Sequence, residues 1–96
     1  SPASVFMCTE AMADAAVAQG LPRNKAYTFA AQAVLGSAQM VLETGMHPGA
    51  LKDMVCSPGG TTIDAVCELE RMGFRASVES AMRVCCEKSK KMTEGK

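Results

Sequence analysis

The 96-residue sequence has no tryptophan, one tyrosine and three phenylalanines. Its apolar fraction of 48% is ordinary for a globular domain, but alanine and methionine supply much of it. Both are good helix formers, and β-branched runs are scarce. The composition therefore predicts an all-helical domain with a core short of large side chains, completed by a second chain or domain. At this length a single domain buries only roughly 60–65% of its unfolded surface.

Net charge is also absent: ten basic and ten acidic side chains cancel. Nucleic acid demands a basic face, and none is evident. Lys88, Lys90 and Lys91 read as cations at a helix C-terminus, where the macrodipole favours them. No stretch approaches the ~20 apolar residues that span a bilayer, and no basic-then-apolar signal opens the chain. No nucleic-acid or membrane partner is expected. The start Ser1-Pro2-Ala3 lacks a methionine and enters helical sequence at once, which suggests a fragment boundary. The five cysteines (Cys8, Cys56, Cys67, Cys85, Cys86) form no CxxC and are odd in number. Neither a disulfide framework nor a zinc site is signalled. They read as reduced, small apolar residues, which places the chain in a reducing cytoplasm. No metal ligand is assigned.

Five helices follow from the pattern. Ala3 to Gln19 has Val5, Cys8, Met12, Ala15 and Ala16 on one face. Phe6, Ala13 and Val17 fall elsewhere, so this helix is apolar over much of its circumference and is expected to sit between other elements. Gly20 supplies a left-handed cap, and Pro22 prevents continuation. Asn24 is the expected cap of a second helix running to about Glu43, with small residues at Ala26, Ala30, Ala33, Gly36 and Ser37. Glycine at 36 costs ~1 kcal/mol against alanine in mid-helix, which a close helix crossing would offset. The pair predicts an antiparallel hairpin.

Thr44-Gly45 ends the second helix. Pro48 suits the first turn of a short third helix, with apolar Leu51, Met54 and Val55. The fourth helix starts near Thr61 or Thr62 and carries Ile63, Val66, Cys67 and Leu69; Gly73 caps its end. Ser77 is the expected cap of the fifth, with Val78, Ala81, Met82 and Cys85 on one face. Residues from Thr93 onward are expected to fray.

One loop carries more than structure. Cys56-Ser57-Pro58-Gly59-Gly60-Thr61-Thr62 runs into the start of the fourth helix. Helix N-termini expose unpartnered N–H groups and partial positive charge. Glycines let a ligand approach the backbone, so a small carboxylate or phosphate fits physically. The structural alternative is a capping box, with Thr61 as cap and Asp64 reaching back. The Gly-Lys-Ser/Thr ending of a phosphate loop is absent, as is a strand followed by GxGxxG, so no dinucleotide site is expected. His47, the only histidine, reads as a turn or surface residue. Cys56 has no histidine beside it to form a thiolate pair. Asp64, Glu68 and Glu70 read as a solvated face, and Tyr27 as an amphipathic packing residue.

Pro48-Gly49-Ala50-Leu51-Lys52-Asp53-Met54-Val55-Cys56-Ser57-Pro58-Gly59-Gly60-Thr61-Thr62-Ile63-Asp64-Ala65-Val66-Cys67-Glu68-Leu69-Glu70 resembles the signature segment of the pyrroline-5-carboxylate reductases. The likeness extends outward. Glu10 to Ala16 and Gly20-Leu21-Pro22-Arg23 resemble the family's first helix and turn in this region. Ala31 to Ala38 resembles its second helix, and Gly73-Phe74-Arg75 its turn into the last. The resemblance implies a two-part enzyme. A Rossmann-type N-terminal domain, lying outside this chain, binds NADPH or NADH. Residues 1–96 are then the C-terminal dimerisation and substrate-binding domain, a bundle of about five helices interleaved with its twin as a homodimer or higher homo-oligomer.

The implied reaction is hydride transfer to the C=N carbon of Δ1-pyrroline-5-carboxylate, giving L-proline. Carried over by position, the Ser57 hydroxyl and the N–H groups of Gly60, Thr61 and Thr62 hold the substrate carboxylate. The Thr62 side chain approaches the ring nitrogen, and Pro58 and Gly59 shape the turn. No general acid is assigned, since solvent can protonate the nitrogen. Catalysis is then positioning and electrostatics, with the cofactor performing the hydride chemistry. The 96-residue chain by itself is expected to be inactive and dimeric. Two other readings stay open: the helical half of another two-domain dehydrogenase, and a non-catalytic helical interaction module.

Overall fold

A computed structural model describes residues 2–94. Among them it shows five helices and no strand, as the composition predicts: α1 (Pro2–Ala18), α2 (Arg23–Thr44), α3 (Pro48–Met54), α4 (Thr61–Arg71) and α5 (Phe74–Glu94). The chain divides into two compact units, Ser1–Met54 and Val55–Lys96.

The first unit is built on the expected hairpin of α1 and α2. The turn between them holds Gly20 at φ 109°, a value that suits a residue without Cβ. The Leu21 N–H returns to the Ala16 carbonyl at 3.0 Å, and the Gly20 N–H to Val17 at 2.9 Å. Ala13, Ala26 and Ala30 are the buried core, with Ala16, Val17 and Leu21 packed around it. The packing face of α1 is therefore Ala13–Ala16–Val17. The face through Val5, Cys8 and Met12 stays exposed.

The crossing of α1 and α2 lies at Ala26 and Ala30 rather than at Gly36. Nothing comes within 4 Å of the point where a Gly36 Cβ would stand, so the close approach expected there is not made within the chain. Asn24 is also not a cap. The helix begins at Arg23 after Pro22, whose φ of −58° and ψ of 140° place it outside the helix. The Pro22 carbonyl takes the N–H groups of Lys25 and Ala26, both at 3.0 Å. Gly45, in the left-handed region at φ 66°, ends α2 by donating to Val41.

The second unit holds α4 and α5, which pack on each other, yet none of their described residues is buried. Ile63 and Val66 are half-buried, whereas Leu69, Val78 and Met82 are exposed. Gly73, φ 76°, turns the chain between them. Its carbonyl accepts the Ser77 N–H at 2.9 Å, so α5 starts at Phe74 and Ser77 lies inside it rather than capping it. At the far end α5 continues through Thr93 to Glu94, where fraying was expected. The rest of that expectation, residues 95–96, lies outside the described residues. Lys91 occupies the last turn of α5, in keeping with the dipole argument.

The five thiols are free, but they are not small core residues within the chain. Cys8, Cys67, Cys85 and Cys86 are exposed and Cys56 is half-buried. No helix among the described residues is long and apolar enough to cross a membrane, and no cluster of three metal-ligating side chains occurs among them.

Candidate substrate-holding loop and helix start

The loop from Val55 to Gly60 is organised by one tight turn. The Gly60 N–H donates to the Ser57 carbonyl at 3.0 Å. Pro58 occupies the second position, where its ring pre-sets the required φ, and Gly59 the third, at φ 71°. Proline followed by a positive-φ glycine is the signature of a type II turn. The two glycines have different duties. Gly59 supplies a backbone conformation that L side chains rarely adopt. Gly60 is extended, φ −81° and ψ 173°, which any residue can reach. A Cβ there would stand 3.2 Å from the Ser57 oxygen and 3.5 Å from the Ser57 Cβ.

Gly60 is the N-cap of α4, and no side chain caps that helix. The expected capping box is therefore not formed. Thr61 is the first helical residue, one place too late to cap, and Asp64 sits in the first turn, where the dipole favours a carboxylate. The Gly60 N–H, expected as an anion donor, is spent on the turn. The donors left at the start of α4 are those of Thr61, Thr62 and Ile63, beside two exposed hydroxyl side chains. Ser57, Pro58 and Gly59 are exposed as well. The arrangement joins a rigid turn carrying a hydroxyl to a helix start with uncommitted N–H groups. Such a place can hold a small carboxylate.

Away from this loop the structure gives specific partners to several charged side chains and to His47. The Arg23 guanidinium meets Asp14 at 2.5 Å across the hairpin turn and lies over the Tyr27 ring, 5.7 Å from its centroid. The Asp14 hydrogen bond, then the Tyr27 hydroxyl, raise Arg23 above its ordinary value. Glu68 pairs with Arg71, which lowers its carboxyl below the usual value, and Glu70 meets Arg75 at 2.9 Å. The last two carboxylates are thus a solvated face, as expected, but a paired one. His47 is exposed, yet it has a specific partner in the Gly49 N–H. The only sequence signal for that contact is a glycine two residues after a histidine at a helix start.

Among the described residues the protein is all-helical with a buried core of three alanines, the build of a helical association domain. The comparison with known proteins is specific. A family model described as pyrroline-5-carboxylate reductase dimerisation matches residues 1–92, and the chain belongs to that family. It is 71% identical over 94 residues to the pyrroline-5-carboxylate reductase of Escherichia coli K12, covering 98% of this chain and 35% of that protein. It is 50% identical over 93 residues to the pyrroline-5-carboxylate reductase of Arabidopsis thaliana, covering 97% and 34%. Its fold is similar to a crystal structure of Plasmodium falciparum pyrroline carboxylate reductase with NADP bound, at a TM-score of 0.90 and 37% identity, covering 95% of this chain and 35% of that one. The chain thus spans about a third of the length of the relatives it matches.

Proposed function

We propose that residues 1–96 are the dimerising and substrate-holding part of a pyrroline-5-carboxylate reductase. The full-length enzyme reduces Δ1-pyrroline-5-carboxylate to L-proline with NADPH or NADH, the last step of proline biosynthesis. The observation that carries this reading is the uncapped start of α4 behind the Ser57–Gly60 turn, in a chain of the reductase dimerisation family.

The substrate is a cyclic imine bearing one carboxylate, and the loop is suited to that acid group. The Ser57 hydroxyl and the N–H groups of Thr61 and Thr62 hold the carboxylate, helped by the positive end of α4. The Thr62 side chain lies toward the ring nitrogen and orients it. Pro58 and Gly59 keep Ser57 in place. These residues position the imine, and the cofactor supplies the hydride. The strand-turn-helix architecture that receives a dinucleotide pyrophosphate is not built by the described residues. The cofactor is accordingly assigned to other parts of the full-length enzyme.

The exposed apolar surface supports the reading of a homodimer or higher homo-oligomer, with the interleaved helices that the family resemblance implies. Phe6 and Phe29 are 70% and 66% exposed, and Leu42 82%, values that side chains of this kind do not keep in a finished core. An apolar groove between α1 and α2, lined by Val5, Phe6, Thr9, Tyr27, Val34 and Leu35, is of a kind that receives a partner helix. Five free thiols fit a reducing compartment, the cytoplasm.

The test is NAD(P)H oxidation by the full-length protein carrying this segment, with pyrroline-5-carboxylate, wild type beside Thr62→Ala. Robust wild-type turnover and a drop of roughly 10- to 100-fold in kcat/KM, the worth of a hydrogen bond to a charged group, are expected. The 96-residue chain by itself should show no turnover. A folded full-length protein inactive with both cofactors would refute the assignment. An unaffected Thr62→Ala would remove Thr62 from the site.

A further inference from the structure

We infer that α2 crosses a helix of a second copy of this chain at Gly36, in close backbone contact. Gly36 lies in the interior of the 22-residue α2. Glycine in such a place lowers the helix-to-coil ratio about fivefold against alanine. Neither local reason for a glycine applies to it. The described glycines at positive φ are Gly20, Gly45, Gly59 and Gly73; Gly36 is helical, a conformation open to any residue. No neighbour in the chain excludes a side chain either, since nothing lies within 4 Å of the place a Cβ would take. At Gly49 and Gly60 such a Cβ would meet atoms at 3.0 and 3.2 Å. Among the described glycines, Gly36 alone combines an ordinary φ with open space.

The residues in line with it are apolar and uncovered. Phe29, Ala33, Gly36 and Met40 follow one another at the alternating spacing of a seam between two helices. Phe29 and Met40 are exposed and Ala33 is half-buried. This seam runs beside the Ala26–Ala30 stripe that meets α1. α2 therefore makes one close contact inside the chain and presents a second face outside it. With large side chains before and after it, Gly36 leaves a notch through which a partner's backbone can approach.

The occupant is a second copy, because all of α2 falls within residues 1–92, which match the reductase dimerisation family; the inference rests on the dimerising part of the proposed function. A twofold dimer uses the same patch on both copies, so a substitution in it counts twice per dimer. The weakening of α2 by its glycine is offset between chains, by a contact that a Cβ would hold apart.

The test is Gly36→Ala in the full-length protein carrying this segment, read by sedimentation over a range of concentrations and by hydrogen exchange in α2. The added methyl meets nothing in its own chain, so the variant folds. In protein diluted below the dimer dissociation constant, α2 amides should exchange about fivefold more slowly than in wild type. The dissociation constant itself should rise by roughly 10- to 100-fold, since the methyl overpacks a closed contact. A substitution that steadies its helix while weakening the dimer is the mark of a glycine placed for a partner. A dissociation constant that stays the same or falls would overturn the proposal, as would unchanged exchange in the diluted protein. A loss of stability equal above and below the dissociation constant would put another part of the same chain against Gly36, and overturn it too. Wild-type protein that remains monomeric throughout would bring down the dimerising reading; a wild-type dimer indifferent to Gly36→Ala would remove only the crossing at Gly36.

Discussion

The hairpin unit and the α4–α5 unit solve the same problem differently. In the hairpin, side chains small enough to let two backbones approach give α1 and α2 a contact of their own at Ala13, Ala26 and Ala30. Among the described residues of α4 and α5 none is buried, and polar pairs such as Glu68–Arg71 and Glu70–Arg75 lie on the solvated side. Exposed ion pairs contribute little to stability. The first unit therefore holds a small apolar core of its own, whereas the described residues of the second hold none.

Dilution is the strongest way to break that contrast. Below the dimer dissociation constant, amide protection in α4 and α5 should fall by roughly 100-fold, since ligation stabilises by mass action, while α1 and α2 around the alanine core keep a larger share. Hydrogen exchange by mass spectrometry at two protein concentrations reads this directly. Equal losses in both units would show that the alanine contact does not stand on its own.

A smaller effect is expected from enlarging side chains. Ala26→Leu forces bulk into a closed crossing and should cost about 1–3 kcal/mol in urea denaturation. Ala81→Leu, on the exposed α5, should leave monomer stability within about 0.5 kcal/mol and act on dimer dissociation instead. Similar costs at the two sites would erase the distinction.

The smallest effect belongs to the solvated face. The Arg71 hydrogen bond holds Glu68 below the ordinary carboxylate value. A depressed folded value means that its stabilisation is present above the ordinary range and is lost as pH falls through the depressed one. Glu68→Gln should lower the thermal midpoint slightly at neutral pH, less in high salt, and not at all once the carboxylate is protonated. A decrease that persists in acid would assign Glu68 a packing role.

The helices themselves were legible because their ends are written in backbone-specific residues. Gly20, Gly45 and Gly73 each take positive φ where the sequence places a stop, and Pro48 opens α3 as expected. The starts were less legible. Asn24, Thr61 and Ser77 are good capping types, yet each lies inside its helix. The carbonyls of Pro22 and Gly73 open α2 and α5, and Gly60 precedes α4 without a side-chain cap. A backbone carbonyl leaves no mark in the sequence, so a nearby hydroxyl or amide draws the cap assignment away from it. The packing face of α1 was not legible for a related reason. A helix apolar nearly all round offers several equivalent stripes, and only the partner chosen by Ala26 and Ala30 decides among them. At the candidate site the residues Ser57 to Thr62 were legible as a loop entering a helix. The use of the Gly60 N–H to close the turn was written in the Pro58-Gly59 pair, a type II signature, but the adjacent hydroxyls and helix start drew the reading toward an anion donor instead.

The three-alanine core also has a calorimetric consequence. The heat-capacity increment of unfolding grows with the apolar area newly exposed to water, and three methyl groups shield very little of it. A lone chain should therefore melt over a broad interval with a shallow baseline step. The steep transition and the large increment should appear only in the associated protein, where the phenylalanines and methionines leave water.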